Sequence, residues 1–134
     1  MTQAKKVLVI EDNEQNMYLM QFLLEKQGFE VVAASDGFQG AAAAAREKPD
    51  IILLDIQLPE MDGYEVARKL RSNADLAETP IIAVTSHAMV GDRAKCISAG
   101  ATDYVEKPID PEGLVERIRG HLKETNHQEE GEEQ

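Results

Sequence analysis

The chain of 134 residues has one cysteine, no tryptophan, three tyrosines and three phenylalanines. A single cysteine, Cys96, excludes an internal disulfide and any multi-cysteine zinc site; it reads as a small, half-buried helix residue. With so few aromatics, aliphatic side chains and alanine must fill the interior. Long hydrophobic runs are missing too. Nothing approaches a membrane span, and Lys5-Lys6-Val7-Leu8-Val9-Ile10 is too short for the core of a signal peptide. A cytoplasmic protein with no membrane contact is expected. Basic residues are scarce: 14 Lys and Arg face 25 Asp and Glu, for a net charge of −11. That balance argues against a nucleic-acid partner. Nucleotide binding lacks its usual cradle, since neither a Gly-x-Gly-x-x-Gly nor a Walker A loop is present.

What remains is long enough for one domain with one core. The acidity is spread along the chain, because the stretch 124–134 holds five glutamates and no Lys or Arg, leaving −6 on residues 1–123. Residues 1–123 form the expected domain. Residues 124–134 lack apolar side chains to bury and are expected to be a disordered tail.

Five short apolar or β-rich runs, Val7–Ile10, Glu30–Ala34, Ile51–Leu54, Ile81–Val84 and Asp103–Val105, alternate with helical patterns. Asn13 caps a first helix whose inward stripe is Leu19, Met20, Leu23 and Leu24, with Lys26 and Gly28 as its stop. Asp36-Gly37 opens a second helix through the small face Ala41–Ala45. Asp62-Gly63 opens a third, with Val66, Ala67 and Leu70 inward, followed by the polar stretch Ser72–Thr79. Met89 to Ala99 reads as a fourth helix, ended by Gly100. The fifth begins at Asp110-Pro111-Glu112 and buries Leu114, Val115, Ile118 and Leu122. Strict β-α alternation with short connections predicts an α/β fold: a doubly wound, five-stranded parallel sheet with five helices on its two faces. Its expected strand order, 2-1-3-4-5, is that of flavodoxin-like folds and is taken from them rather than from patterning.

In such sheets ligands bind beyond the carboxyl ends of the strands. Strand 1 ends in Glu11-Asp12, strand 3 in Asp55, strand 4 in Thr85-Ser86, and strand 5 leads through Glu106 into Lys107-Pro108. Each fragment alone has a plainer explanation: a solvated loop start for Glu11-Asp12, a strand residue for Thr85, a surface lysine for Lys107, a half-buried aromatic for Tyr104. Together, in the expected order, they converge on one rim. Three carboxylates so close repel one another, and one ammonium cannot compensate. An all-oxygen site of this kind suits Mg²⁺, with Mn²⁺ as a substitute. With Mg²⁺ and Lys107 in place it approaches neutrality and can accept a phosphoryl group, helped by the Thr85 hydroxyl. Asp55, on the central strand, is then the nucleophile, and Glu11 and Asp12 hold the metal. The Lys107-Pro108 bond is a candidate for the cis form.

The residues Glu11-Asp12, Asp55 with Pro59 and Gly63 downstream, Thr85 and Lys107-Pro108 make residues 5 to 123 closely resemble the receiver domains of two-component response regulators, the CheY-like superfamily. The stretch from Thr85 through His87 to Arg93 is most similar to receivers of hybrid kinases and of DivK-type single-domain regulators. The resemblance implies that Asp55 takes phosphate from a phosphohistidine on a histidine kinase or histidine phosphotransfer protein. It implies that Gln57 offers Mg²⁺ its backbone carbonyl alongside Glu11, Asp12 and Asp55. Thr85 and Tyr104 would couple phosphorylation to the face of helix 4, strand 5 and helix 5, where a downstream protein binds, and Val90 would belong to that surface. Gln57, Ser86, His87 and Pro108 would flank the pocket, Gln57 and His87 tuning the phosphate lifetime. With no output domain after Leu122, the output is expected to be a protein contact, from a self-phosphorylating switch rather than an enzyme. Two other readings compete. A haloacid-dehalogenase-type phosphatase also uses an aspartate nucleophile and Mg²⁺, but wants a second acid where this chain has Gln57. A receiver acting as a phosphate-independent scaffold would not need the intact pocket.

Overall fold

A computed structural model of the chain describes residues 4–58, 61–86 and 90–133, with side chains through Leu122. Pro59, Glu60, His87 and Met89 lie outside the described residues. Five strands are present: β1 Lys6–Ile10, β2 Glu30–Ala34, β3 Ile51–Asp55, β4 Ile81–Thr85 and β5 Asp103–Glu106. All pair in parallel, in the order β2-β1-β3-β4-β5. Five α-helices alternate with them: α1 Glu14–Lys26, α2 Gly37–Glu47, α3 Gly63–Arg71, α4 Asp92–Ala99 and α5 Pro111–Glu133. The expected fold class and strand order are therefore observed.

Alternation along the strands divides the core in two. Leu8, Ile10, Ile52, Leu54, Ile81 and Ala83 meet the buried faces of α2, α3 and α4. Val7, Val9, Ile51, Leu53 and Ile82 face the other way, against Met20 and Leu24 of α1 and Leu114, Ile118 and Leu122 of α5. β3 and β4 are buried along their whole length, as central strands of a doubly covered parallel sheet must be. Helix starts follow local chemistry: the side chains of Asn13, Asp36 and Asp62 accept from the backbone N–H of Asn16, Gln39 and Glu65.

Several expectations need correction. Leu19 does not belong to the inward stripe of α1; it is 65% exposed, next to exposed Phe22 and Tyr18. Helix α4 begins at Asp92, because Gly91 takes a positive φ of 93° just before it; Val90 and Gly91, expected within the helix, precede it, and Met89 lies outside the described residues. Cys96 is fully buried rather than half-buried, its α4 position facing the core. The polar stretch after α3 contains a 3₁₀ turn, Ala74–Leu76, that buries Leu76. The backbone of α5 continues as helix to Glu133, where a disordered tail is expected; Glu and Gln favour helix, and no proline interrupts the segment. Among the described residues, no helix is long and apolar enough to cross a membrane.

The sheet rim opposite the strands' carboxyl ends is tied by matched polar groups. Arg71 donates from Nε to the Gly100 carbonyl (2.8 Å), from Nη1 to those of Leu76 and Thr79 (both 2.6 Å), and from Nη2 to the Thr102 hydroxyl (3.1 Å). One guanidinium thus joins α3, the 3₁₀ turn and the starts of β4 and β5. Asp103 receives Arg117 Nη1 at 2.9 and 3.0 Å and lies 3.0 Å from His121 Nε2. Lys6 pairs with Glu47 at 3.1 Å and Glu30 at 3.8 Å.

Candidate phosphoacceptor and cation site

The carboxyl ends of β1, β3, β4 and β5 bring Glu11, Asp12, Asp55, Thr85 and Lys107 to one rim. β1 and β3 are neighbours on which Ile10 pairs with Leu54, so the next residues on each strand, Glu11 and Asp55, are adjacent. Asp55 in turn pairs with Val84, and Thr85 with Glu106, one residue before Lys107. A carboxylate oxygen from each of Glu11, Asp12 and Asp55 lies within 4.8 Å of the others. Glu11 and Asp55 are both only 4% exposed, whereas Asp12 faces solvent.

The loop after β3 folds back tightly to hold Asp55. Gly63 donates its N–H to the Ile56 carbonyl at 3.0 Å. A Cβ on Gly63 would stand 2.4 Å from the Ile56 Cα, a contact that only glycine avoids at this crossing. This backbone approach is the local reason for the Asp62-Gly63 pair downstream of Asp55. Within the turn the Gln57 N–H donates to Asp55 Oδ1 at 3.0 Å.

Charge in the pocket is unbalanced. Lys107 Nζ is 3.1 Å from Glu11 Oε1 and 3.5 Å from Asp55 Oδ2. Its own backbone N–H is held by the Thr85 carbonyl at 2.7 Å, and the Lys107-Pro108 bond is cis. Glu11 Oε2 also accepts from the Asn13 N–H at 3.2 Å. Burial first, and then hydrogen bonding and repulsion from Glu11, push the Asp55 carboxyl up to about 7, against the pull of Lys107 and the Gln57 N–H. Burial acts in the same direction on Glu11. There, hydrogen bonds from Asp55, the Asn13 N–H and Lys107 outweigh it and hold the group below the usual carboxylate range. Burial works against the Lys107 charge, but Glu11 and Asp55 hold that ammonium above its ordinary value. Without a cation, therefore, burial and the neighbouring Glu11 both oppose ionisation of Asp55. A hard divalent cation would favour the ionised form, and the all-oxygen donor set fits Mg²⁺.

Of the remaining candidates, Thr85 is buried at the end of β4, and Ser86 is exposed next to it. The Gln57 side chain is not a mere flank of the pocket. Its Nε2 donates to Thr85 Oγ1 at 2.7 Å, while its Oε1 accepts from the Ser86 N–H at 3.0 Å and the Ser86 hydroxyl at 3.2 Å. Sequence reasoning missed this bridge because it joins residues 28 and 29 positions apart. Tyr104 is half-buried against the core cluster containing Cys96, and Val90 is fully exposed. Pro108 is exposed on the rim, and His87 lies outside the described residues. A groove of about 850 Å³ also escaped sequence reasoning. It runs from Glu11, Ser86 and Lys107 along Leu19, Phe22, Leu23 and Ile109. Its signal is the second apolar pair on α1, Leu19 and Phe22, at i and i+3.

Comparisons with known proteins agree with this geometry. Residues 7–119 match the family model of the response regulator receiver domain. The polar-differentiation response regulator DivK of Brucella anthropi is 40% identical over 118 residues, covering 88% of this chain and 96% of that protein. DivK of Brucella ovis is 40% identical over 119 residues, with 89% and 97% covered. Among solved structures, the receiver domain of the sensor histidine kinase PA1611 from Pseudomonas aeruginosa holds a magnesium ion in its active-site cleft. It is 34% identical with a TM-score of 0.84, covering 90% of this chain and 98% of its own. The BeF3-activated N-terminal receiver domain of RstA from Klebsiella pneumoniae is 35% identical with a TM-score of 0.82, the covered shares being 88% and 98%. A strand order, an acidic rim and a family match thus agree: this chain belongs to the response regulator receiver domains of two-component signal transduction.

Proposed function

We propose that residues 1–123 act as a phosphoacceptor switch in which Asp55 receives a phosphoryl group from a phosphohistidine on a histidine kinase or histidine phosphotransfer protein. The observation that carries this reading is the crowding of three carboxylates around one ammonium at the sheet rim. A site built only for stability would not leave that charge unmatched. Glu11, Asp12, Asp55 and the Gln57 carbonyl would hold Mg²⁺, with Mn²⁺ as a substitute, and that ion supplies charge neutralisation for the incoming phosphoryl group.

A carboxylate oxygen of Asp55 attacks phosphorus. The O–P bond forms as the N–P bond to the donor imidazole breaks, and the electron pair stays on the imidazole nitrogen, which takes up a proton. Lys107, already close to Asp55 and Glu11, transfers its pairing to a phosphoryl oxygen as a compact point charge. The Thr85 hydroxyl turns toward another phosphoryl oxygen, and Tyr104 follows into the space released. The added charge of roughly −1.5 to −2 makes these contacts worthwhile. Populations need shift by only a few kcal/mol to alter the face formed by α4, β5 and α5, where a downstream protein binds. The chain is thereby acceptor and catalyst of its own phosphorylation and dephosphorylation rather than a turnover enzyme. A cytoplasmic location goes with this role.

The donor docks on the apolar groove of α1 and the segment after β5. That groove is continuous with the pocket through Glu11, Ser86 and Lys107, so a helix seated on Leu19 and Phe22 carries its histidine toward Asp55. Phe22→Asp should slow transfer from a protein donor at least tenfold while leaving transfer from acetyl phosphate intact.

Incubation with Mg²⁺ and acetyl phosphate or phosphoramidate, followed by intact mass, tests the reading. A gain of one phosphate is expected, absent in Asp55→Asn and after chelation. Steady hydrolysis of phosphate esters would instead favour a phosphatase.

A further inference from the structure

The Gln57 carboxamide spans from the loop after β3 to the end of β4 and engages three groups there. Its orientation is not arbitrary. The Ser86 backbone N–H can only donate, so the carbonyl oxygen Oε1 must face it, at 3.0 Å. The amide nitrogen is thereby turned onto Thr85 Oγ1 at 2.7 Å. The Ser86 hydroxyl adds a second donor to Oε1 at 3.2 Å and reinforces the same orientation. Thr85 is buried, so its hydroxyl cannot exchange this contact freely for water.

We propose that Gln57 is a positioning residue whose side-chain amide latches Thr85 in the resting state, so that capture of a phosphoryl group at Asp55 must release the Gln57–Thr85 hydrogen bond. This rests on the proposed turn of the Thr85 hydroxyl toward the phosphoryl group. The latch adds a cost to switching that is independent of the cation and of Lys107. It also gives Gln57 a second role, distinct from that of its backbone carbonyl: the side chain sets how far the resting state is favoured. Because Oε1 stays on Ser86, release of Thr85 need not disorder the loop. On the Gln57 side, only the Nε2 arm has to let go.

Gln57→Met keeps the length of the side chain and removes both polar atoms. Binding of beryllofluoride, a phosphoryl mimic, can be titrated at fixed Mg²⁺ by ¹H–¹⁵N spectra in three backgrounds: Thr85, Thr85→Ser and Thr85→Val. Gln57→Met should tighten binding about 2- to 10-fold with Thr85 or Thr85→Ser, the worth of one neutral hydrogen bond. With Thr85→Val, which lacks the hydroxyl, it should change nothing. Weaker or unchanged binding in Gln57→Met, or an equal gain in the Thr85→Val background, overturns the latch. Failure of folded wild-type protein to bind beryllofluoride at all would overturn the phosphoacceptor reading and the latch with it. Wild-type binding with no effect of Gln57→Met overturns the latch alone.

Discussion

The two rims of the sheet handle charge in opposite ways. Where the strands begin, Arg71 gathers carbonyls from the 3₁₀ turn, the segment entering β4 and the turn before β5, while Asp103 sits between Arg117 and His121. Where the strands end, Glu11, Asp12 and Asp55 crowd together with Lys107 as their close ammonium. The elements are the same at both rims, so the difference lies in the residues placed at strand ends. One rim satisfies its polar groups within the chain. The other leaves a deficit that a cation and a phosphoryl group can fill. Hydrogen-bond satisfaction alone does not distinguish them: among the described residues no buried side-chain polar atom lacks a partner at either rim. The distinction is one of net charge.

Substitutions at the matched rim should cost stability and little else. Arg71→Met should be the most damaging, losing about 3 kcal/mol or more in urea unfolding, because several carbonyls lose a charged donor at once. A loss below about 1 kcal/mol would mean that water replaces the guanidinium readily, and the contrast between the rims would weaken. Asp103 offers a smaller effect with a pH signature. Burial alone would raise its carboxyl, but hydrogen bonds from His121, the Tyr104 N–H and Arg117 hold it below the usual range. A depressed value means that the folded state favours the ionised form. The stabilisation is therefore complete above the unfolded value of about 3.9 and is lost as pH falls through the folded value. Half-exposed Arg117 limits it to about 1 kcal/mol. The difference in unfolding free energy between wild type and Asp103→Asn should shrink as pH falls below about 4. A difference that grows below that pH would contradict the assignment.

The acidic rim was far more legible in the sequence than the matched one. Glu11-Asp12, Asp55, Thr85 and Lys107 each stand at the end of a β-rich run, so alternation plus a parallel order places them together without knowledge of any side-chain contact. The same holds for the caps Asn13 and Asp62, whose partners are three residues away. Arg71 could not be read in this way. Its acceptors at Leu76, Thr79 and Gly100 come from irregular segments, and nothing in the polarity of Ser72–Thr79 signals that Leu76 is buried there. Leu19 misled for a related reason. Helical periodicity gives an apolar stripe but not its edge, and here the stripe spills outward to form the groove beside Glu11 and Lys107. The bridge from Gln57 to Thr85 needs two loops at atomic detail, beyond what strand order provides.

The imbalance itself can be weighed by comparing the unfolding free energies of wild type and Asp55→Asn, each in a chelator and in saturating Mg²⁺. In the chelator, Asp55→Asn should be at least as stable as wild type, by about 1 kcal/mol, since it removes a buried carboxylate that repels Glu11. Mg²⁺ should then stabilise wild type by about 2.7 kcal/mol at a hundredfold excess over its dissociation constant, and the variant by much less. If Asp55→Asn were less stable in the chelator and gained as much from Mg²⁺ as wild type, the carboxylates at this rim would not be in conflict. The central claim would then be wrong.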